Sequence, residues 1–332
     1  MVELNPENEI LRADDLYHVY ETEAVAGNVV SLRGIHISVN QKEVVSVIGP
    51  SGSGKSTLMK CLGGLMSPTA GDIFYEGKSI SRLDTQELLH FRQRTVSFVF
   101  QDSNLLPYIN VVNNVALPLK YLKIDPRKAR QRAMELLERL GVEDQAKMLP
   151  AQVSGGEKQR IAIARALITK PKIILADEPT GSVDLVTSRA ILKLFREIIE
   201  DVNVSFLIVT HSRGITEFSD RSLELIDGRF VAEHGSDIDI SNLSSTRKII
   251  VDQTGNMTLP ANILSTVGGG GIFELTKVRK DEMNFVRTPE ENAVPEFTNK
   301  TLIKFCQACG NKYESHEQDS CSTCGSLRTK MP

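Results

Sequence analysis

Gly49-Pro50-Ser51-Gly52-Ser53-Gly54-Lys55-Ser56 decides how this chain reads. The stretch fits the pattern G-x-x-x-x-G-K-[ST], and it sits in the context that pattern requires. Upstream, Val44-Val45-Ser46-Val47-Ile48 is a short apolar, β-branched run of the kind that forms a buried strand. Downstream, Ser56 to Leu65 predicts a helix ending near Gly63-Gly64. The glycines let the backbone curl so that successive N–H groups face one concavity. That nest and the positive end of the following helix together complement a polyphosphate. Lys55 adds a charge at the β- and γ-phosphates, and the Ser56 hydroxyl is a ligand for Mg²⁺.

The second half of the site lies in Ile173-Ile174-Leu175-Ala176-Asp177-Glu178, an apolar strand that delivers two carboxylates to its C-terminal end, where ligands bind in parallel sheets. Asp177 suits Mg²⁺, and Glu178 suits a general base acting on water. Strand and helix signals alternate to about residue 240. Asp125-Pro126 offers a cap and a proline at the first helical position, and Ala129, Ala133, Leu136, Leu137 and Leu140 share one helical face. Val204 to Val209 is a further buried strand. Leu223 to Val231 reads as a hairpin turning at Asp227-Gly228. The expected fold is α/β with a largely parallel sheet.

Val153-Ser154-Gly155-Gly156-Glu157-Lys158-Gln159-Arg160 closely resembles the signature loop of ATP-binding-cassette (ABC) ATPases, with an Ile/Ala-rich helix between it and Asp177. Gln101 in Phe98-Val99-Phe100-Gln101 resembles the Q-loop glutamine, Ser182-Val183-Asp184 the D-loop, and His211 after Ile208-Val209-Thr210 the switch histidine. Tyr20 stands where this family places an adenine-stacking aromatic. The stretches from Phe100 to Pro107, Asn114 to Leu119 and Leu175 to Gly181 are similar to the lipoprotein-release, macrolide-export and FtsE-type group. Val153 replaces the usual leucine and the D-loop carries Val183; neither change removes a catalytic group.

The resemblance implies a P-loop NTPase cassette over residues 1–240, with a parallel-sheet core, an antiparallel β subdomain and a helical subdomain. It implies an ATPase that contacts ATP through Tyr20, Gly49, Pro50, Ser51, Gly52, Ser53, Gly54, Lys55, Ser56 and Thr57. Mg²⁺ would be held by Ser56, Gln101 and Asp177, with Glu178, His211 and Gln101 as the catalytic set. Ser154, Gly155, Gly156 and Glu157 would complete the site of a second cassette in trans, beside the D-loop Asp184. The implied assembly is a homodimer, or a heterodimer with a related subunit, driving a separate integral-membrane permease of FtsX-like type. That would place the chain on the cytoplasmic face of the membrane as a peripheral protein.

Composition bounds the rest. The chain has 332 residues, 41% of them hydrophobic, and a formal net charge of −3. It has enough apolar content for a core and too little positive charge for a protein built mainly to coat nucleic acid. No stretch is long and apolar enough for a spanning helix, and the acidic, polar opening does not read as a secretion signal. Residues 246–288 form a small β-rich module whose Lys248 to Pro260 stretch resembles an AbrB-like opening, a dimeric and often DNA-binding fold. In residues 300–332, Cys306-x2-Cys309 and Cys321-x2-Cys324 are each followed by glycine and resemble a zinc ribbon holding structural Zn²⁺. A pair of redox dithiols is the competing reading. These modules support the alternative function, a soluble ABC-type ATPase acting on nucleic acid. Against it, the interval between Lys55 and Ser154 leaves no room for the large insertions of such enzymes.

Overall fold

The computed structural model describes residues 8–21, 28–179, 193, 195–197, 199, 201–211, 218–235, 248–251, 257–259, 261–266, 273–279 and 282–287. The chain divides into two compact units, Met1–Leu259 and Pro260–Pro332.

In the first unit, β1 (Glu9–Tyr20) pairs antiparallel with β2 (Val29–Asn40) and β4 (Ala70–Tyr75), and β4 pairs with β5 (Lys78–Ser79). The central sheet has seven strands. Its parallel part runs β9 (Arg221–Ile226), β3 (Val44–Ile48), β8 (Ser205–Thr210), β7 (Ile173–Asp177) and β6 (Val96–Val99). β10 (Arg229–Gly235) and β11 (Lys248–Ile249) extend it antiparallel beyond β9.

The unbroken apolar runs of the inner strands follow from burial on both faces. β3 and β8 are buried throughout. Ile174 and Ala176 of β7, with Phe206 and Ile208 of β8, face one core, shared with the helical lobe. Their neighbours Ile173, Leu175, Leu207 and Val209 face the other, shared with the antiparallel sheet and α1 (Lys55–Leu62). The period of two in a strand sorts the side chains this way. Each fully buried Val, Leu or Ile contributes about 1.5–3 kcal/mol.

The remaining helices are α2 (Thr85–Arg94), α3 (Val111–Tyr121), α4 (Pro126–Arg139) and α5 (Gly155–Leu167). The Asp125 carboxylate accepts from the N–H groups of Arg127 and Lys128, with Pro126 opening α4. Ala129, Ala133 and Leu137 are buried, as their spacing predicts. The parallel core, antiparallel sheet and helical lobe expected from the sequence are all present.

The second unit contains α6 (Ala261–Thr266), which begins just after Leu259-Pro260, and the antiparallel hairpin of β12 (Phe273–Arg279) with β13 (Glu282–Arg287). β11, which the sequence groups with these later elements, instead pairs with β10 in the first unit. There Ile250 packs against the core and its N–H bonds the Val231 carbonyl at 3.0 Å. The apolar sheet edge provides a partner that sequence spacing does not reveal. The cysteines Cys306, Cys309, Cys321 and Cys324 lie outside the described residues, as does Asp184.

Candidate functional site

The turn from β3 into α1 has a backbone that only glycine permits at two points. A Cβ on Gly49 would lie 2.2 Å from the Leu225 carbonyl oxygen, where β9 passes close by. Gly54 caps α1 at φ 104°, and a Cβ there would lie 2.5 Å from the Ser31 carbonyl oxygen. The turn is braced from outside. The Gly228 N–H bonds the Ser53 carbonyl at 3.0 Å, and the Arg33 N–H bonds the Gly228 carbonyl at 2.9 Å. Asp227 and Gly228 both have positive φ, as the expected hairpin turn requires.

This turn, the ends of β7 and β8, and the first antiparallel sheet enclose a cleft of about 790 Å³. The Lys55 ammonium donates to the carbonyls of Gly49 at 2.9 Å and Pro50 at 2.8 Å. Burial holds it below the usual lysine value, against the opposing pull of Glu178 and Asp177. The Ser56 hydroxyl donates to Asp177 at 3.3 Å. Burial raises the Asp177 carboxyl above its usual value, against the Ser56 hydrogen bond.

Glu178, next along the chain, is buried and left-handed at φ 46°. Its N–H bonds the Val209 carbonyl at 2.9 Å. Oε2 accepts from the Thr210 hydroxyl at 2.8 Å, and Oε1 accepts from the His211 N–H at 2.8 Å. His211 Nδ1 lies 2.7 Å from Oε1 and donates to it in the Nδ1–H tautomer. The carboxylate is thus pinned by the end of β8 while facing the cleft.

Tyr20 stands at the rim, its hydroxyl 3.2 Å from Thr57 Oγ1, which also accepts from Ser31 at 3.0 Å. Gln101 lines the cleft as well. The structure therefore brings Tyr20, Lys55, Ser56, Thr57, Gln101, Asp177, Glu178 and His211 together, with Ser51, Gly52 and Gly54 from the turn. Gly49, Pro50 and Ser53 build the turn from behind.

Ser154, Gly155, Gly156 and Glu157 do not line the cleft. They open α5 with a reciprocal cap. Ser154 Oγ accepts from the Glu157 N–H at 3.4 Å, and Glu157 Oε2 accepts from the Ser154 N–H and hydroxyl, each at 2.7 Å. Gln145 donates to the other Glu157 oxygen at 2.8 Å. The Ser154 N–H and hydroxyl together hold the Glu157 carboxyl below its usual value.

Three positioning groups escaped the sequence reading. In the sequence Thr210 figures only as the residue before His211, with no role of its own. Arg165 of α5 donates to the carbonyls of Ser103 and Asn104, each at 2.6 Å, and so grips the loop that follows Gln101. Asn114 is wholly buried; its Oδ1 accepts from the Leu106 N–H, and its Nδ2 donates to the carbonyls of Leu106 and Ile109. A lone Thr, Arg or Asn carries no periodic or spacing signal, so these roles emerge only from the tertiary arrangement.

The donor set fits a magnesium nucleotide. Ser56, Asp177 and Gln101 offer hard oxygen ligands. Nothing lies within 4 Å of where a Gly52 Cβ would stand, which leaves the concave backbone open to phosphate. Among the described residues, no three His, Cys, Asp or Glu side chains cluster together. No described helix is long and apolar enough to cross a membrane.

The ABC transporter family matches residues 32–181. The lipoprotein-releasing system ATP-binding protein LolD of Bacteroides thetaiotaomicron is 41% identical over 202 residues, covering 61% of this chain and 93% of the relative. LolD of Bacteroides fragilis is 40% identical over 205 residues, covering 62% and 95%. A solved dimeric ATP-binding cassette in a post-hydrolysis state, bound to ADP and phosphate, is 34% identical, with a TM-score of 0.64 over 68% of this chain and 99% of that one.

Proposed function

The chain belongs to the ABC transporter ATP-binding family and is an ATPase, and on that premise we propose that it dimerises on ATP to drive a separate permease of FtsX-like type. The coupled work is export or mechanical transmission, with lipoprotein release a precedent in the LolD relatives. The chain then sits on the cytoplasmic face of the membrane through its partner.

The observation that carries this reading is the separation of two half-sites on one chain. The cleft holds the phosphate loop and both carboxylates, while the Ser154 loop lies apart from it. A site completed by the Ser154 loop of a second copy explains both features. The backbone N–H groups of the turn and Lys55 bind the phosphates, and the Tyr20 ring stacks on the base. Ser56, Asp177 and Gln101 hold Mg²⁺, which neutralises charge on the phosphates when bound. Glu178, oriented by Thr210 and His211, takes the proton of the attacking water, and His211 reaches the γ-phosphate edge. Closure of the dimer, with Asp184 at its seam, excludes water from the site. Hydrolysis removes the γ-phosphate that bridges the halves, so they separate.

The four tail cysteines hold a structural zinc in this reading, supported by their paired C-x-x-C-G spacing. The 246–288 stretch serves dimerisation, supported by its likeness to an intertwined dimeric fold. Zinc analysis of the full chain checks the first point: about one equivalent, lost on substitution of Cys306 and Cys321, is expected. The decisive experiment is purification from gently solubilised membranes. An integral-membrane partner that stimulates ATP turnover is the expected result; recovery of the chain with nucleic acid and no membrane protein overturns the proposal.

A further inference from the structure

The helical lobe carries a charge pattern that its fold does not need. Lys120, Lys123, Arg127, Lys128, Arg130 and Arg132 surround the single carboxylate Asp125, in a chain whose net charge is −3. All six are exposed, and among the described residues none forms an ion pair. Arg139, about two helical turns beyond the patch, is paired with Asp201.

Asp125 caps α4 in the ordinary way, but the cations that follow it depart from the usual pattern of a helix start. Cations in a first turn work against the helix dipole, whose N-terminal end is already positive. α4 has no acidic residue in its first turn and carries Arg127 and Lys128 there. α2 and α5 follow the rule, with Glu87 and Glu157 in the same place. Like charges also face each other along α4, at Arg127 and Arg130 and at Lys128 and Arg132, spacings that bring side chains together. Ala129, Ala133 and Leu137 occupy the buried face, so the cations spread across the opposite one. A helix that breaks its local rules on its solvent face points to a requirement from outside the chain. The aromatic Tyr121, 64% exposed, lies between Lys120 and Lys123 where α3 ends. An amphipathic ring among cations is the composition of a membrane–water interface.

We propose that this face of the helical lobe binds the anionic headgroup surface of the membrane beside the permease. The choice of a bilayer over nucleic acid rests on the transporter reading above. An anionic surface turns each unfavourable feature into a favourable one. The crowded cations and their unpaired guanidinium and ammonium groups gain phosphate partners, within the roughly 10 Å reach of charges in moderate salt. The contact adds a second attachment to the one made through the permease, and it orients the lobe.

The test is co-sedimentation of the full chain with permease-free vesicles of phosphatidylcholine, alone or with about 30% phosphatidylglycerol. The comparison protein carries Arg127→Gln, Lys128→Gln, Arg130→Gln and Arg132→Gln, exposed changes to a good helix former. Unstimulated ATPase activity equal to that of the parent verifies its fold. Expected is binding to the anionic vesicles alone, weakened by salt and reduced roughly a hundredfold in the variant. Three results overturn the proposal: no binding to anionic vesicles, equal binding by the variant, or displacement from vesicles by equimolar oligonucleotide. Because the vesicles lack permease, failure here is separate from failure of the transporter reading, which is judged by co-purification.

Discussion

Two glutamates in this protein accept the same two kinds of donor, a hydroxyl and a backbone N–H, in different settings. Glu178, at the end of β7, accepts a hydroxyl from Thr210 and a backbone N–H from His211. Glu157, at the start of α5, accepts the hydroxyl and backbone N–H of Ser154. The first pair lies under the cleft, which the carboxylate lines. The second lies near the surface, where the carboxylate caps a helix and keeps the Ser154 hydroxyl engaged. Similar hydrogen-bond chemistry therefore fixes a carboxylate beneath the cleft in one region and caps the start of a helix in the other. Burial and neighbours, not the bond type, separate the two roles.

The contrast predicts a graded series. Glu178→Gln is expected to lower ATP turnover by about 10²–10⁴-fold, the usual contribution of a general base, while ATP binding persists. Gel filtration should show the variant as an ATP-dependent dimer; turnover near the parent rate would break the comparison at its root. Thr210→Val removes one of the bonds orienting Glu178. Loss of a hydrogen bond to a charged group costs about 1.5–3 kcal/mol, so turnover should fall by roughly 10–100-fold with little change in nucleotide affinity. Equal losses in turnover and affinity would mean that Thr210 shapes the cleft rather than the base.

Arg165 ties the two regions together, since it rises from α5 and grips the loop after Gln101. Arg165→Gln is expected to cost about 1–3 kcal/mol of stability, read as a lower urea midpoint, by leaving Ser103 and Asn104 carbonyls without their donor. The smallest effect belongs to Glu157→Gln, below about 1 kcal/mol. Its size depends on pH. The folded state holds the Glu157 carboxyl below its usual 4.5, so its contribution is complete above that value and disappears as pH falls through the lower, folded-state value. The Tm difference between parent and variant should thus be present at neutral pH and vanish in acid. A difference that persists in acid would assign the cap to shape rather than charge.

How far the sequence could be read depended on whether the signal was local. The β3–turn–α1 unit was legible because a buried strand, a glycine pattern and a helix start adjoin in the chain. The Asp227-Gly228 turn was legible for the same reason, although not its role in bracing Ser53 from outside. Asp177 and Glu178 could be placed at a strand end, but their opposed environments depend on Thr210 and His211, which are distant in sequence. The pairing of β11 with β10 was hidden because a two-residue strand has no periodicity and its partner is chosen by an open edge.

That pairing has a practical side. β10 would otherwise present a row of unsatisfied peptide groups at the rim of a sheet reduced to six strands, with Phe230 on that rim. Open rims recruit strands from neighbouring molecules, which is a route to insoluble material. Lys248 and Ile249 seal this one from within. A fragment meant to isolate the ATPase therefore needs its stop codon after Leu259, even though the strands that line the cleft end well before it.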